Sequence, residues 1–84
     1  MIKFILKKSA KVPALQYTKS NLNDIIDFVG QDNCLWTANS EELLIVSLEG
    51  HIKVEVGAYV IKGTKGEFYP CREDIFKSTY YKVK

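Results

Sequence analysis

The stretch from Leu43 to Val56 constrains the fold more than any other part of the chain. Leu43 to Leu48 reads L-L-I-V-S-L, a nearly continuous apolar run. Such a run suits a central strand covered on both faces. Glu49-Gly50 is a tight-turn signal, and beyond it Ile52, Val54 and Val56 alternate with His51, Lys53 and Glu55. Alternation at period two predicts a strand with one buried face. Two successive strand patterns of this kind commit the chain to a sheet, and the remaining segments must extend or cover it.

The rest of the chain reads as short elements separated by turn signals. Ile2, Phe4 and Leu6 alternate with Lys3, Ile5 and Lys7, which predicts a first strand, broken at Ser9 to Lys11. A second extended piece spans Val12 to Thr18, and Pro13 predicts that it lies at a sheet edge or starts there. Leu22, Ile25, Ile26 and Val29 fall at helical spacing, widened by Phe28, so a helix is expected over about residues 21–29. Ser20 or Asn21 suits its N-cap, Asp24 the positive end of its dipole, and Gly30 a left-handed end. Further strands are expected at Leu35 to Ala38, Tyr59 to Lys62, Glu67 to Cys71 and Tyr80 to Val83. A short helical turn is expected at Glu73 to Lys77, with Ile75 and Phe76 inward. The sum is a single α+β domain over residues 1–84: a mostly antiparallel sheet of five to six strands, one main helix and a short C-terminal helical turn.

Composition narrows the classes of function. Hydrophobic residues make up 46% and charged residues 26%, which supports a packed core and argues against disorder. A chain of 84 residues buries only about two thirds of the surface its unfolded form exposes, so its stability is modest. The net charge of +2 is far below the basic excess of a dedicated duplex binder. The opening M-I-K-F-I-L-K-K is not a secretion signal, because Lys3 breaks its short apolar stretch. No run reaches the ~20 apolar residues that span a bilayer. A cytoplasmic protein with no membrane partner is expected, and Cys34 and Cys71 are then free thiols.

Candidate chemistry is sparse. Cys34, His51 and Cys71 are the only soft metal ligands and form no close pair of the zinc-site kind, so neither a metal nor a cofactor is expected. Cys71 and His51 lie near strand ends and are the one conceivable nucleophile–base pair, but such a pair needs an orienting group and an oxyanion donor. Glu41-Glu42 in a turn and Glu73-Asp74 at a helix start read as solvated carboxylates. A non-enzymatic protein is expected. Gly63-Thr64-Lys65-Gly66 is a hairpin turn rather than a Walker loop. Around it, Lys62, Lys65 and Arg72 accompany Phe68 and Tyr69, the cations and stacking rings that an anionic, nucleotide-like ligand requires. These five residues are the candidate ligand site. The competing reading is a surface hairpin with solvated lysines and rings turned into the core.

From Val56 the chain reads V-G-A-Y-V-I-K-G-T-K-G-E-F-Y-P-C-R-E-D-I-F-K-S-T-Y, ending at Tyr80. This stretch resembles a signature of small uncharacterised proteins of tailed phages and prophages, in which I-x-K-G leads to G-E-F-Y-P-C, then D-I-F and a Thr-Tyr ending. Upstream, K-V-P-A-L-Q-Y-T and N-L-N-D-I-I-D-F-V-G are similar to that family's preceding strand and helix, and S-L-E-G matches its turn. Four features depart from the pattern. Ala58 stands for the usual Asp, Glu73 for Pro and Tyr17 for Trp, and the N-terminus is less basic. The resemblance implies a phage or prophage accessory protein made in the cytoplasm of the bacterial host, and it carries over no catalytic residue.

Together these readings give the expected function. The chain is a small accessory protein that acts by binding, in host modulation or counter-defence. It either sequesters a small signalling nucleotide or blocks a host protein. A subunit interface is the natural place for a pocket in so small a domain, so a homo-oligomer is expected. The alternatives are a single-stranded nucleic-acid-binding protein and a minor structural or scaffold component of a phage complex.

Overall fold

A computed structural model describes the backbone of residues 3–7 and 10–82 and the side chains of residues 12–80. In chain order the strands are β1 (Lys3–Lys7), β2 (Ala10–Gln16), β3 (Cys34–Thr37), β4 (Glu42–Ser47), β5 (Gly50–Val54), β6 (Tyr59–Lys62), β7 (Phe68–Cys71) and β8 (Tyr80–Lys82). Helix α1 spans Leu22–Val29, a 3-10 turn spans Gln31–Asn33, and helix α2 spans Glu73–Thr79. The fold is α+β.

The strands do not form the single sheet of five to six strands expected from the sequence. They divide into a five-stranded antiparallel sheet in the order β7-β6-β2-β1-β8 and a three-stranded one in the order β3-β4-β5. Strand patterns identify segments but not lateral partners. The three strands that follow α1 pair only with their chain neighbours, while β6 returns to pair with β2.

The large sheet is covered on both faces. Leu15, Val60 and Phe68 project to one side, where they meet Ile25 and Val29 of α1 and Leu43, Ile45 and Val54 of the small sheet. Val12, Ala14 and Ile61 project to the other, against Phe76 of α2 and Tyr80, with Tyr59, Tyr69 and Cys71 packed alongside. There Tyr59, Phe76 and Tyr80 form a continuous stack, with ring centroids 3.8 and 4.8 Å apart. Pro13 therefore does not mark an edge strand. It sits in β2, which has partners on both sides, but the β6 ladder begins only at Ala14, so its missing N–H breaks no bond to β6. The chain break expected at Ser9 to Lys11 is also shorter, because β2 already begins at Ala10. Which way Ile2, Phe4 and Leu6 point, and the fate of Val83, lie outside the described residues.

The helix ends follow local chemistry. Asn21 caps α1 by position but makes no side-chain cap bond. Its amide instead accepts from the Thr18 N–H at 2.9 Å and donates to the Gln16 carbonyl at 2.7 Å, tying the helix start to the end of β2. Gly30 ends the helix with φ 96° and ψ 140°, positive in φ but extended rather than left-handed helical as expected, and this throws the chain into the 3-10 turn. In α2 only Phe76 is buried. Ile75, expected inward, is half exposed, since so short a helix presents a single residue, Phe76, to the sheet.

The small sheet departs most from expectation. Its inner face buries Cys34, Leu43, Ile45 and Val54. Its outer face is open, with Leu35 and Val46 exposed, so β4 is central but covered on one face only. On β5 just Val54 is buried. Ile52 is 40% exposed, and Val56 lies beyond the strand at 62%.

Candidate functional site

The hairpin between β6 and β7 carries the residues singled out in the sequence. The Gly63 N–H donates to the Glu67 carbonyl at 2.7 Å, and the Gly66 N–H to the Gly63 carbonyl at 3.0 Å, closing the G-T-K-G turn. The Glu67 carboxylate folds back over that turn and accepts from the Lys65 N–H at 3.1 Å. A side chain at position 63 would displace this carboxylate, so glycine leaves the room into which it folds back. An amide that a phosphate would seek is thus already held by the chain's own carboxylate.

The five candidate residues are not brought to one place. Lys62 lies over the Phe68 ring at 5.9 Å, near the outer limit of a cation–ring contact. Phe68 and Tyr69, adjacent on a strand, leave β7 on opposite sides. Phe68 packs edge-on against Phe28 with ring centroids 5.4 Å apart, in the core beneath α1. Tyr69 packs on the α2 side, its hydroxyl 3.3 Å from that of Tyr80. Neither ring presents a free stacking face of the kind a base would use. Lys65 is exposed on the turn. Arg72 sits at the far end of β7 and is held by Asp74 at 3.0 Å. It opens on a separate depression of about 370 Å³ between Glu55–Ala58 and the start of α2, walled also by Glu73 and Asp74. Ala58 is buried there, its carbonyl accepting from the Tyr17 N–H.

A larger groove of about 550 Å³ lies where the two sheets meet. The small sheet contributes Val46, Ile52 and the β4–β5 turn from Ser47 to Glu49. The other wall is Gly66 to Tyr69, and Asn33 closes one end. Its walls are mainly apolar, and among the described residues its ionised groups are Glu49 and Glu67, with no lysine or arginine in the lining. Leu48, at the tip of the turn, is fully exposed. The sequence reading found Phe68 and Tyr69 in this wall but missed the other half, because it assigned Ile52 and Val46 to the core.

No family model, curated protein or solved structure matches the chain.

The remaining reactive groups lie apart. Cys34 is in the core beneath α1, and burial pushes its thiol pKa up. Cys71 is on the opposite face of the large sheet, where burial and the Asp74 carboxylate push its thiol up as well. His51 is exposed on the outer face of the small sheet. The conceivable Cys71–His51 pair is therefore not assembled. Among the described residues, no helix is long and apolar enough to cross a membrane, and no three Cys, His or acidic side chains gather as a metal site.

Proposed function

We propose that this protein is a phage-derived accessory protein that acts without catalysis, by occupying the surface of a protein in its bacterial host. The observation that carries the reading is the groove at the junction of the sheets, apolar-walled, edged by Glu49 and Glu67, and overhung by the exposed Leu48. A nucleotide needs cations beside its phosphates, whereas Lys62 and Lys65 lie outside this groove and Arg72 opens on another depression. The exposed apolar residues Val46, Leu48 and Ile52 adjoin one another along this groove, and such a patch is instead a protein-contact feature. The raised thiol of Cys71 supports the non-catalytic part of the reading, since a nucleophilic cysteine needs a depressed one.

Sequestration of a signalling nucleotide is the second reading, favoured by the Lys62–Phe68 contact. Thermal unfolding against mono-, di- and cyclic nucleotides separates the two. A nucleotide at a hundred times its dissociation constant adds about 2.7 kcal/mol to stability, which raises the midpoint of so small a domain by roughly 10 °C or more. A flat panel is expected, and such a shift overturns the protein-blocking reading. In a host strain expressing the protein and challenged with phage, Leu48→Asp is expected to abolish the effect on plating. The Lys62→Ala, Lys65→Ala, Arg72→Ala triple variant is expected to keep it.

A further inference from the structure

Two edge strands, β5 and β7, adjoin the groove, and of the two β5 is the one without a proline. Ser47 pairs with Gly50 across the turn Leu48-Glu49, so this pair closes the hairpin and exchanges its hydrogen bonds with β4. Antiparallel bonding alternates, so Gly50, Ile52 and Val54 bond to β4 while His51 and Lys53 direct their N–H and C=O groups away from it. Among the described residues no strand pairs with that edge.

Two other sheet edges are blunted in ways β5 is not. Edge strand β7 carries Pro70, and edge strand β3 spans only Cys34–Thr37. β5 has no proline, and its one edge cation, Lys53, is drawn back over its own sheet by Glu42 at 3.3 Å and Glu55 at 3.8 Å. Ile52 projects from β5 into the groove, toward the wall formed by Phe68 and Tyr69. A strand added to β5 would therefore send every second side chain into that groove. Those side chains would meet apolar walls and, at the rims, Glu49 and Glu67, for which no ion pair exists among the described residues.

We infer that the partner contributes an extended segment that pairs with β5 as a fourth strand of the small sheet and sends alternating apolar and basic side chains into the groove. Main-chain bonds to His51 and Lys53 supply affinity. Ile52 and Phe68 select an apolar residue, and the two carboxylates select a lysine or arginine beside it. This rests on the protein-blocking reading and adds to it the chemistry of the partner.

The test is fluorescence anisotropy with the full chain and a labelled peptide in which every second residue, the groove-facing set, is valine and lysine in turn, with threonine at the positions between. Three controls accompany it: the same peptide N-methylated on alternate backbone amides, the same peptide with glutamate for lysine, and a Glu49→Gln, Glu67→Gln protein. In that protein the side-chain amide oxygen at position 67 still accepts from the Lys65 N–H, so the turn is preserved. Saturable binding weakened about tenfold or more by each change is expected, a factor equivalent to about 1.4 kcal/mol. Binding indifferent to N-methylation, or no binding, overturns strand addition. If Leu48→Asp still abolishes the effect in the host after such a result, the protein-blocking reading stands without it. Sedimentation equilibrium adds a further check: a dimer that Ile52→Lys dissolves shows that a second copy takes the β5 edge, and overturns the inference.

Discussion

The two sheets are built from similar residues and used in opposite ways. The large sheet has cover on both faces, and its described centre, Val12, Ala14, Val60 and Ile61, is at most 2% exposed. The small sheet hides only its inner face and leaves Leu35, Trp36, Val46, Leu48 and Ile52 at 36% exposure or more. In a chain this short there is too little material to cover two sheets completely. The uncovered one presents the apolar surface, the open edge and the groove. Cover on both faces belongs to one sheet, and exposed apolar surface to the other.

The contrast is tested most severely at Phe76, the one buried residue of α2, which packs against the large sheet between the rings of Tyr59 and Tyr80. Phe76→Ala should cost about 3–5 kcal/mol, the range for a buried aromatic, measured by urea unfolding. Ile52→Ala, at the same nominal hydrophobicity but half exposed, should cost far less. Similar losses for the two variants would break the division between a supporting and a presenting sheet.

The link between β5 and β6 gives a smaller effect. Gly57 has φ +96° and no atom within 4 Å of where a Cβ would lie, so only backbone strain opposes a side chain. The turn is pinned from both sides, by the Ala58 N–H to the Glu55 carbonyl at 3.0 Å and the Gly57 N–H to the Tyr17 carbonyl at 2.7 Å. Gly57→Ala should therefore cost about 1–2 kcal/mol by the same measurement. A loss well below that range would mean that the joint between the sheets relaxes.

Alkaline pH should loosen the large sheet through Tyr80. Burial first, and then the Tyr69 hydroxyl, push the Tyr80 phenol well above its ordinary 10.0. A folded-state value raised in this way gives stability that is complete below pH 10 and is lost as pH rises beyond it. The unfolding midpoint should fall above that pH, and Tyr80→Phe should make the fall shallower. Cys34 and Cys71 also have raised thiols and leave a residual slope in the variant. An unchanged alkaline limb in Tyr80→Phe would remove Tyr80 from the account.

Segments were legible in the sequence and partnerships were not. The period-two pattern of β5 and the stripe of α1 are local, and each emerged within a residue or two of its expected span. Whether β4 had one covered face or two depended on the number of sheets, and an apolar run carries no record of what lies across from it. The same limit governed the site. Lys62, Lys65, Phe68, Tyr69 and Arg72 are close in sequence, but β7 sends its rings to opposite faces and leaves Arg72 at its far end. Glu49, Ile52 and Glu67 share one groove across the two sheets, and no spacing along the chain marks them as neighbours.

The smallest expected change in stability falls at Leu48, and it is the most informative. At the tip of the β4–β5 turn this side chain is fully exposed, so removing it empties no core. The turn is held without it, by the Ser47 hydroxyl donating to the Gly50 carbonyl at 2.6 Å and by Gly50 at φ 124°. Leu48→Asp should therefore shift stability by no more than about 0.5 kcal/mol, as surface changes do. The same change puts a third carboxylate beside Glu49 and Glu67 and removes the one apolar residue that projects beyond the groove. Contact with an apolar partner surface should fall sharply, while a lysine side chain entering the groove should be held as well as before. Host effect lost with stability kept would assign Leu48 to the contact surface. Stability lost as well would show that the small sheet, too, depends on its outermost residue, and the division between the two sheets would fail at the point where it is drawn most sharply.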